Sequence, residues 1–363
     1  MKLELAPQAP KLKRLPVQVI ETKGGVILKR GSVEMKIDGE RAAEVVQTVL
    51  VMTGEDGATP EEIGALFAAP ARPAVLQLVK RLEARRFLVP ANGTSEPDEA
   101  LESNLDVLYW HFGEETEQVT HRLSTRRITI MGVNCISRQL AAALQAGGLE
   151  TVEVVDDPGL CNLRLFDRNH QVNAAQWPDA VPAPQAYDAW MDDLDPQSLG
   201  CIVATSDFGG LHLMRRWNEF CVEHNCHFLP VVLQNMVGYV GPLVVPGETP
   251  CFECLRARQN AHMDDPESQR AAEHAAFEGQ AVAAFHPSMA SVLGDIAAIE
   301  LSKFYGGWMP QRLTGNLIEV NLLSTQMKTR KVLKVPRCRV CSSLNRHAPV
   351  NIDKAVFLPI NEA

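Results

Sequence analysis

Cys251-Phe252-Glu253-Cys254 and Cys338-Arg339-Val340-Cys341 constrain this chain more than any other feature. Each CxxC brings two thiolates to one ion, and four thiolates complete a tetrahedral zinc with no position left for water. The spacing therefore predicts a structural zinc, and no catalytic residue is assigned. One ion shared by all four cysteines closes residues 255–337 into a loop and ties the C-terminal end to the body that carries Cys251. A redox role fits neither pair, because neither is expected to open a helix behind a strand in a thioredoxin-like setting. Cys135, Cys161, Cys201, Cys221 and Cys226 lack ligand spacing and are read as buried thiols.

Nine cysteines behind an N-terminus with no apolar signal segment point to a reducing, cytoplasmic setting. No run of about 18 apolar residues occurs, so no membrane span is expected. The net charge of −9 argues against a nucleic-acid partner, whose footprint is basic. The charge is uneven, since residues 1–90 hold 14 Lys and Arg against 11 Asp and Glu.

A chain of 363 residues has room for two domains, because single cores stop growing near ~250 residues. Residues 17–22, 25–30 and 33–38 are strand-like runs separated by Lys23-Gly24-Gly25 and Gly31-Ser32. Helical patterns follow at 40–52, 59–67 and 72–86, the second opened by Thr59 as N-cap and Pro60 at the first helical position. These predict a winged-helix-like α+β unit over 1–90. The polar, turn-rich residues 91–104 read as a linker. From 126 onward strands and helices alternate: strands at 127–133, 151–156, 200–204 and 227–233, helices at 137–146, 211–223 and 288–305, and a closing hairpin at 317–323 and 329–334. That order predicts an α/β, Rossmann-like domain over 105–363, its largely parallel sheet covered on both faces.

The first strand of the larger domain runs into Gly132-Val133-Asn134-Cys135-Ile136-Ser137, where a nucleotide-binding fold carries its glycine loop. A complete GxGxxG needs its second glycine for close approach of phosphate and its third for helix–strand packing. Asn134 and Ser137 stand at those places, so no ATP binding is expected. Asp156 ends the next strand, at the position of a ribose-binding acid. Asp207 in Thr205-Ser206-Asp207 ends another. For both acids, loop capping is an equal alternative.

From Arg127 to Cys341 the chain resembles the ThiF/MccB-type adenylating fold related to ubiquitin-activating enzymes. The matching features are the degenerate loop at Gly132, Val154-Val155-Asp156-Asp157, Thr205-Ser206-Asp207, Thr249-Pro250-Cys251-Phe252-Glu253-Cys254-Leu255, the helix over 290–304, and the second CxxC. Active members follow the ribose acid with an Asn-Leu-Asn-Arg-Gln-like segment. Here it reads Asn162-Leu163-Arg164-Leu165-Phe166, which leaves Arg164 as the remnant of a degenerate nucleotide site made of Gly132, Asn134, Asp156, Arg164 and Asp207. With its small N-terminal unit, the whole resembles the ocin-ThiF-like "F" proteins of azoline-forming peptide pathways. That resemblance implies a precursor-peptide leader and a YcaO-type cyclodehydratase as partners, and a second copy of the chain in a homodimer is a further candidate partner.

The resemblance also implies where the leader binds, as a strand added to the edge at 33–38 beside the helix over 72–86. The candidate contacts are Val33, Glu34, Met35, Lys36 and Ile37 on the strand, with Met35 as the central main-chain donor, and Val75, Leu78, Val79, Arg81, Leu82 and Arg85 on the helix. Two other functions compete. An active ATP-dependent enzyme adenylating a peptide carboxylate would use Asp156 and Asp207, with His262, His274 and His286 in a crossover-like stretch. A winged-helix DNA regulator would need a basic recognition helix, which is absent.

Overall fold

The computed structural model describes residues 10–91, 103–261 and 284–345, apart from 55, 170 and 235, together with 265, 267, 268 and 271. Most of the expected linker, His262 and His274 lie outside them. The chain forms two compact units that divide after Thr116.

In the N-terminal unit, β1 (Leu12–Arg14), β2 (Gln18–Thr22), β3 (Gly25–Arg30) and β4 (Val33–Asp38) precede α1 (Ala42–Met52), α2 (Pro60–Ala65) and α3 (Arg72–Ala84). Next come β5 (Leu88–Pro90) and α4 (Asn104–His111). Strands β2, β3 and β4 form an antiparallel meander, and β1 pairs with β5 in a separate ribbon. The local chemistry accounts for the helices. Thr59 and Glu62 close a reciprocal capping box ahead of Pro60. The apolar stripe of α3 buries Val75, Val79 and Leu82 against Val26, Leu28, Val46 and Ile63.

The β1–β5 ribbon goes beyond the expected elements, because three-residue strands carry no usable periodicity. Helix α4 is not among the expected elements, and its residues, nearly all assigned to the larger domain, fall on the N-terminal side of the unit boundary. Trp110 explains why: its indole N–H donates to the Arg86 carbonyl at 2.9 Å, and the Arg30 guanidinium lies 4.8 Å from its ring centre.

The larger unit contains α5 (Thr116–Ser124), β6 (Arg127–Met131), α6 (Cys135–Ala146), β7 (Thr151–Asp156), β8 (Gln185–Ala186), α7 (Tyr187–Asp192) and β9 (Cys201–Ser206). It continues with α8 (Met214–Glu223), β10 (His227–Gln234), β11 (Val237–Val240), α9 (Phe252–Ala261), α10 (Pro287–Gly306), β12 (Asn316–Asn321) and β13 (Gln326–Lys331). Its eight-stranded sheet runs β13-β12-β11-β10-β9-β6-β7-β8. The strands from β8 to β10 are parallel and the rest antiparallel.

From β6 the chain crosses to β7 on one side, and from β9 it crosses to β10 on the other. Right-handed crossovers then set α6 and α8 on opposite faces. The reversal leaves a switch point beyond the C-terminal ends of β6 and β9, the usual ligand crevice of open α/β sheets. Helix α10 packs along α6, where Gly294 allows close approach: a Cβ there would sit 2.9 Å from the Leu140 nitrogen. Among the described residues, no helix is long and apolar enough to cross a membrane.

Candidate functional site

Three places singled out by the sequence each have a definite geometry. The first is the switch point. Gly132 has φ +100°, and a Cβ at this position would lie 2.6 Å from the Leu160 oxygen, so only glycine fits. Asn134 is fully buried and caps α6. Its Oδ1 accepts from the Ile136 and Ser137 amides at 3.0 and 3.1 Å, and its Nδ2 donates to Leu160 O, Thr205 O and Thr205 Oγ1 at 2.9–3.1 Å. The Ser137 hydroxyl accepts from the Asn134 amide at 2.9 Å.

The remaining first-turn amide, on Cys135, donates to Asp207 Oδ2 at 2.9 Å, and Asn162 Nδ2 holds both Asp207 oxygens at 3.0 and 3.1 Å. Burial pushes the Asp207 carboxyl above its usual range, against the hydrogen bonds from Cys135 and Asn162 that pull it down. A helix N-terminus binds phosphate through free amides and its positive dipole end. Here side chains of the protein occupy all three first-turn amides, and a carboxylate already sits where an anion would. Asp156 accepts from the Cys161 thiol at 2.6 Å. Arg164 lies exposed on a short 3-10 turn over Leu163–Leu165. The sequence marks Asn134 and Ser137 as obstacles. It does not reveal Asn162 and Thr205 as parts of the same clamp, although both sit in motifs already singled out.

The second place is the cysteine cluster. Sγ of Cys251 lies 3.9 Å from Cys254 and 3.6 Å from Cys338, and Cys254 lies 3.5 Å from Cys341. All four sulfurs fall within 4.8 Å of one another. A tetrahedron with Zn–S near 2.3 Å has edges of about 3.8 Å, so the cluster is compatible with a zinc site. The Val335 amide donates to Cys254 Sγ at 3.3 Å, the kind of bond that stabilises a coordinating thiolate. Cys251 directly precedes the helix α9 but follows a loop rather than a strand, as the redox argument expects. Glu253 between the first two cysteines and Arg339 between the second two approach within 3.7 Å, and Arg215 pairs with Glu253 at 3.1 Å.

The third place is a groove of about 890 Å³ within the N-terminal unit, between β4 and α3. Glu34, Met35, Lys36 and Ile37 line it from the strand, and Val75, Leu78, Arg81 and Arg85 from the helix. Val33 is not among its lining residues. Val79 and Leu82 are 1% and 0% exposed and face the core, so they do not belong to a binding surface. A helix that packs two turns into a core leaves only its flank for a ligand.

Strand β4 pairs only with β3, which leaves its other edge open among the described residues. The two-residue turn at Gly31-Ser32 makes Arg30↔Val33 the hydrogen-bonded closing pair, followed by Leu28↔Met35 and Val26↔Ile37. Glu34, Lys36 and Asp38 therefore aim their main-chain groups at the open edge. The Glu34 carbonyl accordingly accepts from Arg85 Nη1 at 3.3 Å. This corrects the expectation for Met35, whose N–H is spent on β3.

Residues 163–340 match the sequence profile of the ThiF family, and no curated protein matches the chain in sequence. Among solved structures, E. coli MccB aligns with TM-score 0.62 at 16% identity, over 93% of this chain and 98% of its own. MccB solved with MccA-N7isoASN gives 0.61 at 15%, over 91% and 99%. The heterocyclase TruD gives 0.57 at 18%, over 92% of this chain but only 43% of its own. The chain thus contains a ThiF family domain and shares the overall fold of these proteins.

Proposed function

We propose, from the ThiF family domain over residues 163–340, that this chain holds the leader of a ribosomally made precursor peptide and presents it to a YcaO-type cyclodehydratase, without adenylating anything itself. The observation that carries the reading is the open β4 edge facing a peptide-sized groove. A peptide added there gains ladder hydrogen bonds from Glu34, Lys36 and Asp38, while its side chains meet Met35, Ile37, Val75 and Leu78. Arg81 and Arg85 at one end favour an acidic residue in the ligand. A zinc ion at Cys251, Cys254, Cys338 and Cys341 would be structural, because four thiolates leave no open position.

Titrating labelled leader halves of short Cys-, Ser- and Thr-rich peptides encoded beside the gene tests this reading. Lys36→Pro removes an outward donor while sparing the β3 ladder, and about a tenfold or larger loss of affinity is expected. Met35→Pro breaks the hairpin itself and should lower the thermal midpoint instead. Binding unchanged by Lys36→Pro would remove β4 from the reading.

A second reading, an enzyme that adenylates a peptide carboxylate, is favoured by the presence of Asp156, Asn162 and Asp207 together at the switch point. It requires exchange of labelled pyrophosphate into ATP in the presence of peptide. None is expected, because the amides that would cradle phosphate are occupied.

A further inference from the structure

Residues 326–339 carry Lys328, Arg330, Lys331, Lys334, Arg337 and Arg339 and no acid, in a chain of net charge −9. This stretch begins with β13, the outermost strand of the large sheet, on which every residue is exposed. The Val332 amide donates to the Gly315 carbonyl at 2.9 Å. Counting in steps of two along the register makes Leu317↔Arg330 and Glu319↔Lys328 the hydrogen-bonded pairs with β12. Met327, Thr329 and Lys331 therefore aim their N–H and C=O groups outward, and nothing pairs with them among the described residues. Lys328 and Arg330 share one face of the strand, where Arg330 is already paired with Glu319 at 2.6 and 3.0 Å, and Met327, 56% exposed, lies on the other. Leu323 at the hairpin tip and Leu333 beyond the strand are 70% and 51% exposed.

Lysines on an open edge discourage self-pairing. A second copy of β13 would set its cations against these, and like charges directly opposite one another destabilise a ladder. The same charges attract a strand of opposite sign. A nucleic acid would use the cations but neither the row of main-chain groups nor the apolar side chains beside it.

We propose that β13 is a docking edge for an extended acidic segment of a partner protein, which adds as a further strand with a carboxylate over Lys328 and apolar side chains against Met327. The surface is separate from the groove at β4 and does not depend on the reading given to that groove.

The test uses the full chain carrying Lys36→Pro, so that the β4 edge contributes nothing, and a labelled peptide of about ten residues alternating Glu and Val. A Lys-Val peptide serves as the charge control. The Glu peptide should bind, more weakly as salt rises, while the Lys peptide should not, and the amides of Met327, Thr329 and Lys331 should gain protection from hydrogen exchange. Thr329→Pro should cut affinity about tenfold or more without moving the thermal midpoint, because its N–H points away from β12. The double variant Lys328→Glu, Lys331→Glu should reverse the preference between the two peptides, a readout that does not rely on proline being tolerated. Absence of Glu-peptide binding, or equal binding by Thr329→Pro, would overturn the proposal. So would preferential binding of a single-stranded oligonucleotide, which would make the stretch a phosphate-binding patch instead.

Discussion

Replacing Cys338 with serine should release the bound metal and unlock the C-terminal part of the larger unit, costing several kcal/mol. In small zinc domains the ion contributes on the order of 10–16 kcal/mol of binding free energy that is at the same time folding free energy. The placement of the cluster makes the effect large here. Cys251, Cys254 and Cys338 lie in one buried cluster with Phe228, Phe252, Leu317 and Val332, so the ligands are also core residues. Without one sulfur the remaining three carry uncompensated charge in an apolar surrounding, or protonate and let go of the ion. Elemental analysis should give one zinc per wild-type chain and much less in Cys338→Ser, with hydrogen-exchange protection lost in α9 and over residues 332–342. Cys226→Ala, which removes a buried thiol outside the cluster, should keep the metal. A wild-type protein purified without stoichiometric metal, yet fully folded, would refute the assignment.

Asn134→Gly should destabilise the larger unit by about 3 kcal/mol or more and should not restore nucleotide binding. Glycine is the residue an intact phosphate loop carries at this position, so restoring it tests whether one side chain is the obstacle. The geometry of the clamp says it is not. Asn134 supplies an N-cap, typically worth about 1 kcal/mol. Its loss also leaves buried amides and carbonyls short of partners, at about 1–3 kcal/mol each. Phosphate would still meet Asp207, which stays clamped on the Cys135 amide by Asn162. Chemical denaturation measures the first effect and calorimetric titration with ATP the second. An Asn134→Gly variant as stable as the parent and binding ATP tightly would show that the loop is only blocked, not rebuilt.

The strand-and-helix order is largely legible because long elements carry clear periodicity: the α3 stripe, the β3–β4 hairpin around Gly31-Ser32, and the parallel strands ending at Asp156 and Ser206. The two CxxC pairs announce the sulfur cluster because ligand spacing is local. What cannot be read has physical reasons. Residues 157–199 are held largely by Asx-type turns at Asp167, Asn173 and Asp195 and by the buried Trp177 and Trp190, and such turns leave no period. Helix α4 does offer a signal, the Ser103 and Asp106 capping box, at the end of a polar stretch that reads as linker. Alternation on β4 gives the two faces of the strand but not which main-chain groups look outward, because that depends on the turn closing the hairpin. The hairpin over β12 and β13 is expected three residues too late on its second strand, whose exposed polar residues do not alternate.

The sulfur cluster also sets a schedule for synthesis. Its paired ligands are separated by 87 positions in the chain, Cys251 from Cys338 and Cys254 from Cys341. At about 5–20 residues per second of translation, the first pair leaves the ribosome on the order of 10 seconds before the second exists. During that interval a nascent chain presents a two-thiolate half-site, open to any soft metal at hand, while α10, β12 and β13 are still being made. A metal shared by all four sulfurs is therefore completed only after the second pair has emerged, late in the synthesis of each molecule.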